Sequence, residues 1–420
     1  MIKLAENLLY ISLLIIWLML FYHMFLMQGG YLFSRRYKEI NDSCLENTPV
    51  QPLVSILIPA HNEEVVIEET IKAMVRLDYP KDKLEIIIIN DYSSDLTGTI
   101  ADDYASEHTF IKVIHNKPPF SGKGKSGALN IGLTDSSGEI IVVYDADNTP
   151  EPEAVKKLVL ALQHDEKAGA VIGKFRVINH NKNLLTRFIN IETITFQWLA
   201  QAGRWFWFKM TTIPGTNFAI RRSILEELGG WDIKALSEDT ELSIRVYNLG
   251  YYIRFIPTAV TWEQEPEIWK VWWKQRTRWA SGNIYVLGKY LLRFPQLKHK
   301  KVLIDLIYLL LTYFLFFGGV LLSHVIFVTN LFIDLELSIG LVSYVLLVVG
   351  FLLFVTEVLL ALSMEKNQLN LRNFFTVLLM YFLYAQIWLF LILYSAFKEF
   401  KRLIFKQEVK WYKTPRFKKS

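Results

Sequence analysis

Ile140-Ile141-Val142-Val143-Tyr144-Asp145-Ala146-Asp147-Asn148 is the stretch that decides the fold. Four β-branched apolar residues run straight into two carboxylates one residue apart. The apolar run reads as a buried parallel strand. Ligands of open α/β sheets bind beyond the carboxyl ends of such strands, so Asp145 and Asp147 are expected at the mouth of a site. Two carboxylates there can hold a divalent cation, Mg²⁺ or Mn²⁺. An Asx-rich turn after a strand would use the same letters, and the flanking sequence has to choose between the two.

On either side, apolar strand-like runs alternate with segments of helical spacing. Strands are expected at Val54–Pro59, Leu84–Ile89, Ile111–Ile114 and Ile140–Tyr144. Helices are expected at Glu63–Leu77, Leu96–Ala105, Ser126–Leu133 and Ala154–Leu162. That alternation predicts an α/β fold with a mostly parallel sheet flanked by helices. A long aromatic-rich helix is expected over Leu184–Met210, and another over Ser237–Asn248 with Ser237 as its N-cap.

The strand ends gather polar residues: His61-Asn62-Glu63-Glu64, Asn90-Asp91 and Asp145-Ala146-Asp147. A helix starting at Glu63 would add backbone N–H groups to that edge. Asp91 suits hydrogen bonds from a base or ribose; an Asx-turn with Ser93 and Ser94 is the competing use. Ser121-Gly122-Lys123-Gly124-Lys125-Ser126 is not a phosphate-binding P-loop, because Pro119 stands where that motif needs glycine. Lys125 still offers a point charge to a diphosphate in a glycine-rich loop. Ser237-Glu238-Asp239 opens a helix, and a carboxylate there favours its ionised form, as a general base requires. Gln275-Arg276-Thr277-Arg278-Trp279 joins a carboxamide, two guanidinium forks suited to phosphate oxygens, and a flat indole face.

Composition adds a membrane. Of 420 residues, 52% are hydrophobic, more than a soluble chain usually carries. Leu8–Met27 is uncharged and long enough to span the hydrocarbon core. Its length, and the lack of a small-x-small cleavage site after it, favour a retained anchor over a signal peptide. Arg35, Arg36 and Lys38 then place the following segment in the cytoplasm. Val302–Val328, Ile339–Leu362 and Phe374–Phe397 are three further apolar runs. Asp305, His324 and Glu357 interrupt them, and Asp305 and Glu357 are expected to snorkel at the interface. Trp262, Trp269, Trp272, Trp273 and Trp279, interleaved with Lys270, Lys274, Arg276 and Arg278, read either as an interface-seeking stretch or as a packed aromatic cluster. The net charge of +5 resides in the tail after Phe397, nine basic residues against two acids, so it points to anionic lipid and not to nucleic acid. The lone cysteine, Cys44, excludes an internal disulfide.

Asn90-Asp91, Asp145-Ala146-Asp147, Ser237-Glu238-Asp239 and Gln275-Arg276-Thr277-Arg278-Trp279, in that order and beside apolar spans, resemble the family 2 glycosyltransferases. The similarity is to the membrane-embedded processive branch, which includes poly-N-acetylglucosamine, hyaluronan and cellulose synthases, and it covers roughly Val54 to Leu287. It implies a GT-A fold and inverting transfer from a UDP-sugar to a growing exopolysaccharide, coupled to export. By position it implies Asp239 as catalytic base, Asp91, Lys125, Asp145 and Arg278 as donor-binding groups, and Asp145 with Asp147 as metal ligands. Gly215, Thr216, Gln275 and Trp279 fall at the acceptor end. Ser237 stands where Thr is common, and Asn90 where the family often has a second Asp. Expected partners are the UDP-sugar, the polysaccharide acceptor, the lipid bilayer and small accessory membrane proteins. A synthase adding a few sugars to a membrane lipid is the nearest rival; a transporter or an inactive scaffold is the rival of another class.

The resulting map is an anchor over 1–34, a linker over 35–52, a catalytic domain over 53–260, interface helices over 261–300, a membrane region over 301–398 and a basic tail over 399–420. It contains a conflict. Three full C-terminal spans would put the basic tail outside, against the positive-inside rule. One run is therefore expected not to cross, with Phe374–Phe397, which carries Gln386, as first choice. The tryptophan-rich stretch would then lie on the inner membrane surface, with Trp279 at the entrance of a path for the growing chain.

Overall fold

The computed structural model describes residues 2–44, 52–333, 340–405 and 414–417. Among the described residues one sheet of eight strands organises the chain between its apolar helices: β1 (Val54–Ala60), β2 (Leu84–Asp91), β3 (Ile111–Asn116), β4 (Ile140–Val143), β5 (Thr149–Pro150), β6 (Ala168–Val177), β7 (Phe218–Arg221) and β8 (Tyr252–Glu263). Their order is β3-β2-β1-β4-β7-β6-β8-β5. The first four pair in parallel, β7 enters antiparallel between β4 and β6, β6 and β8 pair in parallel, and β5 closes the edge antiparallel. The sheet is thus mixed, with its parallel half where the β-branched runs predict it. Every residue of β4 is buried on both faces, as a central strand between helix layers must be.

Register brings the functional loops to one edge. Ala60 lies opposite Asn90, and Leu57 opposite Val143, so the chain leaves β1, β2 and β4 at the same end. Phe218 pairs with Val143, so the loop before antiparallel β7 arrives there too. Val177 pairs with Glu263, which adds the end of β8.

Local differences from expectation have physical reasons. The first helix runs Ile2–Cys44, ten residues past the expected anchor, and takes in most of the expected linker; residues 45–51 lie outside the described ones. The helix expected from Glu63 begins at Ile67, because Glu63 O accepts from Val66 and Ile67 N in a turn first. Leu184–Met210 divides into the helix Leu184–Phe196, a π-helical turn Gln197–Gly203 and the helix Arg204–Phe208. The wider turn receives the first helix. A Cβ on Gly203 would stand 2.1 Å from Leu26 O, so only glycine permits this backbone contact.

Among the described residues, four helices are long and apolar enough to cross a membrane: Lys3–Tyr37, Val302–Asn330, Val345–Ser363 and Leu371–Arg402. Asp305 and Glu357 do not snorkel; both are buried, and Asp305 forms an ion pair with Arg204. A charge this far from water persists only with such a partner. The tryptophan stretch divides its roles along the helix Trp269–Leu291. Trp272 is wholly buried against Tyr384 and Trp388, whereas Trp269 is exposed.

Candidate active site

A cleft of about 540 Å³ opens at the common edge of the strands. Every site residue expected from the sequence lines it: Asp91, Lys125, Asp145, Asp147, Gly215, Thr216, Asp239, Gln275, Arg278 and Trp279.

Asp91, the last residue of β2, accepts from Asn116 Nδ2 at 2.6 Å and from Gly122 N at 3.2 Å. Asn90 takes the turn-forming role instead, accepting from Ser93 N at 3.2 Å. The pair therefore divides the work: Asn90 shapes the loop and Asp91 faces the cleft with its carboxylate fixed.

Asp145 and Asp147 follow β4 at its carboxyl end. Lys125 Nζ donates to Asp145 Oδ1 at 2.5 Å and to Gly215 O at 2.7 Å, with Glu238 at 3.8 Å. Burial opposes the charge on Lys125, but Asp145 and Glu238 outweigh it and hold the ammonium above its ordinary pKa. Lys125 is thus a fixed cation joining the strand end, the Gly215 loop and the Ser237-Glu238-Asp239 motif. Thr216 Oγ1 accepts from Asp145 N at 3.1 Å and donates to Asn148 Oδ1 at 2.8 Å, so it anchors the carboxylate loop and has no hydroxyl hydrogen left for another acceptor. Gly215 has φ +87°, and a Cβ there would meet Asp239 Oδ2 at 3.0 Å. The left-handed backbone favours glycine, and a side chain there would also crowd the Asp239 carboxylate.

Asp147 faces a group not expected from the sequence. Arg416 Nη1, from the C-terminal tail, lies 2.9 Å from Asp147 Oδ2, and Thr414 also lines the cleft. Gln264 pins the tail through both backbone groups of Phe417, accepting from its N–H at 2.8 Å and donating to its C=O at 2.7 Å. Glu263 and Glu265, which flank Gln264, line the cleft as well. Withdrawal from water, then the Glu265 charge, push Glu263 well above the carboxylate range; withdrawal from water raises Glu265 against the pull of Arg276, and burial does the same to Asp147 against the pull of Arg416. The pattern Glu263-Gln264-Glu265 at a strand end repeats the spacing of Asp145-Ala146-Asp147 and was the available signal for these two acids. Arg416 carried none beyond the sidedness conflict of the tail.

Asp239 sits in the first turn of the helix Glu238–Asn248. The expected side-chain cap by Ser237 is absent; Thr240 N donates instead to Asp239 Oδ1 at 2.6 Å. The other oxygen, Oδ2, faces Gly215. Against the expectation that the helix start would favour the ionised form, removal from water, then the adjacent Glu238, raise the Asp239 pKa to about 7. A carboxylate so tuned holds a proton weakly enough to release it and strongly enough to take one near neutral pH. Arg278 lines the same cleft, and its Nε has no hydrogen-bond partner among the described residues. Gln275 and Trp279 are held by Arg276, which donates to Gln275 Oε1 at 2.7 Å and lies 4.0 Å from the Trp279 ring centroid.

The hard carboxylate oxygens of Asp145 and Asp147 fit Mg²⁺ or Mn²⁺ with coordination positions left for diphosphate. Among the described residues no group of three or more His, Cys, Asp or Glu forms a closed cage.

Residues 55–229 match the model of "Glycosyl transferase family 2". Over 413 residues, 98% of either chain, the sequence is 62% identical to the probable glycosyltransferase YdaM of Bacillus subtilis (strain 168). The chain belongs to glycosyl transferase family 2. A second relative of this glycosyltransferase is the poly-beta-1,6-N-acetyl-D-glucosamine synthase of Staphylococcus epidermidis, 31% identical over 65% of this chain and 64% of that one. The fold of this chain is shared with the mannosyltransferase PcManGT from Pyrobaculum calidifontis, solved with GDP-Man and Mn²⁺, at TM-score 0.59, 20% identity and coverage of 94% and 99%. The enzyme is therefore a glycosyltransferase of GT-A type, from a family in which a divalent metal is typical.

Proposed function

We infer that this glycosyltransferase extends an exopolysaccharide by inverting transfer from a UDP-sugar at the cytoplasmic face of the cell membrane. The observation that supports it is the sharing of one cleft by Asp91, the Asp145–Asp147 pair, Asp239 and Trp279. Donor and acceptor groups thereby meet across a single catalytic carboxylate.

Asp91 receives the nucleoside. Lys125 and Arg278 face the diphosphate with fixed positive charge, where charge grows as the bond to the sugar breaks. A divalent cation held by Asp145 and Asp147 would neutralise the diphosphate and stabilise UDP as leaving group. Gln275 and Trp279 hold the acceptor sugar, the indole against its apolar face. Asp239 takes the proton from the acceptor hydroxyl. That oxygen attacks the anomeric carbon opposite the leaving diphosphate, and its configuration inverts.

The test is to incubate membranes with a panel of UDP-sugars, follow UDP release, and resolve the product by gel. A long polymer made from one sugar is expected, and none from the Asp239→Asn variant. A product of one or a few sugars on lipid would replace the polymer reading with the glycolipid one.

A further inference from the structure

The last apolar segment comprises the helix Leu371–Leu379, a π-helical turn Met380–Tyr384 and the helix Ala385–Phe405. By length and composition it qualifies as a membrane span. Its contacts contradict a crossing. Just before it, Glu365 pairs with Lys174 at 3.1 Å, and Gln368 accepts from Asn190 at 3.0 Å. Arg372 at its start reaches Asn181 of the catalytic domain at 3.3 Å. After it, Arg416 and Phe417 are bound to Asp147 and Gln264. Both ends thus touch the catalytic domain, on one side of any bilayer.

A single helix that crossed would have to return between Phe405 and Thr414. Nine residue steps reach at most about 32 Å fully extended. A helical return through the hydrocarbon core needs about 20 residues. An extended return would leave unpaired backbone groups in lipid, at several kcal/mol each.

The middle of the segment says how it lies. The helix Trp269–Leu291 is fixed to the catalytic domain near both ends, by Arg276–Glu192 at 2.9 Å and by Lys289–Glu241 at 2.8 Å. It lies along that domain and does not leave it. The last helix runs beside it in the same direction. Trp272 Nε1 donates to Tyr384 OH at 2.8 Å, the Trp273 and Tyr394 rings are 5.9 Å apart, and Arg402 stands 5.1 Å from the Tyr285 ring. The opposite face exposes Phe375, Phe382, Phe390, Phe397, Phe400 and Ile404, at steps of seven, eight, seven, three and four. Those steps make one continuous stripe on a helix. Lys270, Lys274, Lys398 and Lys401 are exposed on the same two helices.

We propose that Leu371–Phe405 does not cross the membrane but lies flat in the leaflet on the catalytic side, phenylalanine stripe in the acyl boundary and lysines at the headgroups. The occupant of the stripe is lipid. Helices that span stand next to it, and a stripe flanked by lysine is how interfacial helices bind anionic leaflets. The crossings are then three: the anchor helix, and Val302–Phe332 out with Gly340–Ser363 back. The parity returns the tail to the donor cleft.

Two measurements test this on the full chain in a Cys44→Ser background. In intact cells an impermeant thiol reagent should label Ile333→Cys, at the far end of its span, and should label Ser420→Cys only after permeabilisation. Labelling of Ser420→Cys in intact cells would overturn the proposal. In anionic vesicles, nitroxide labels at positions 375, 390 and 404 should report one shallow depth. A profile that deepens to the bilayer centre at 390 and becomes shallow again at 404 marks a crossing helix and equally overturns it.

Discussion

Arg416 Nη1 stands 2.9 Å from Asp147 Oδ2, so the C-terminal tail supplies a guanidinium to the carboxylate pair at the end of β4. Residues more than 260 positions apart in sequence share one charge balance. On the proposed donor arrangement the pair would meet a diphosphate and its cation, and a guanidinium there is a strong phosphate partner.

Arg416→Ala should therefore lower kcat/KM for the UDP-sugar. A charge-assisted hydrogen bond contributes about 1.5–3 kcal/mol, which is roughly a 10- to 150-fold loss. Arg416→Lys should recover part of it, keeping charge without the planar fork. UDP release measured against donor concentration decides; unchanged kinetics in the alanine variant would confine Arg416 to balancing Asp147.

Asp239→Asn keeps shape and hydrogen bonding but cannot take a proton. Turnover should fall by about a hundredfold or more, the usual contribution of general-base catalysis. Donor affinity, read by titration of UDP binding, should hardly change. A purified variant with near-normal turnover would remove Asp239 from the role.

The pH profile follows with a fixed sign. The base must be ionised, and the Asp239 pKa is raised to about 7. kcat/KM should therefore rise with pH through about 7 and level off above it. Burial is the larger cause and the Glu238 charge the next, so Glu238→Gln should move this acid limb to lower pH. A limb that stays in place in the variant would mean that another group sets it.

Excess chelator should abolish UDP release, and Mn²⁺ or Mg²⁺ should restore it, because the hard oxygens of Asp145 and Asp147 suit those ions. Asp147→Asn should weaken Mn²⁺ binding, read by Mn²⁺ paramagnetic resonance. Full activity in chelator would leave these carboxylates to Lys125 and Arg416 alone.

The parallel half of the sheet was legible because its strands are runs rich in β-branched residues, two of which, β2 and β4, lead straight into acids. The other half was not. Phe218–Arg221 has one β-branched residue in four and ends in a charge, Gly169 and Gly173 interrupt Ala168–Val177, and Pro257 interrupts Tyr252–Glu263, so none reads as a strand from its own letters. Asp145, Asp147 and Asp239 were legible because chemistry restricts the residue type. Thr414 and Arg416 were not, because a lysine-rich tail looks like a lipid contact until the chain path returns it to the cleft. Asp305 was misread because its partner, Arg204, is about a hundred residues distant and nothing local marks it.

Arg276 is the buried neighbour of Gln275. It pairs with Glu192 at 2.9 Å, stands 3.8 Å from Glu265, donates to Gln275 Oε1 at 2.7 Å and lies 4.0 Å from the Trp279 ring centroid. Tyr384 of the last apolar segment donates to the same Glu192 at 2.8 Å. Arg276→Gln should leave Glu192 and Glu265 uncompensated, and breaking a buried pair costs about 3–5 kcal/mol. The melting temperature in detergent should fall. Arg276→Gln with Glu192→Gln removes both charges and should recover much of that stability. It should not recover the acceptor KM, because Gln275 and Trp279 still lack the guanidinium that holds them. A double variant that regains both stability and acceptor KM would show that Arg276 only balances charge.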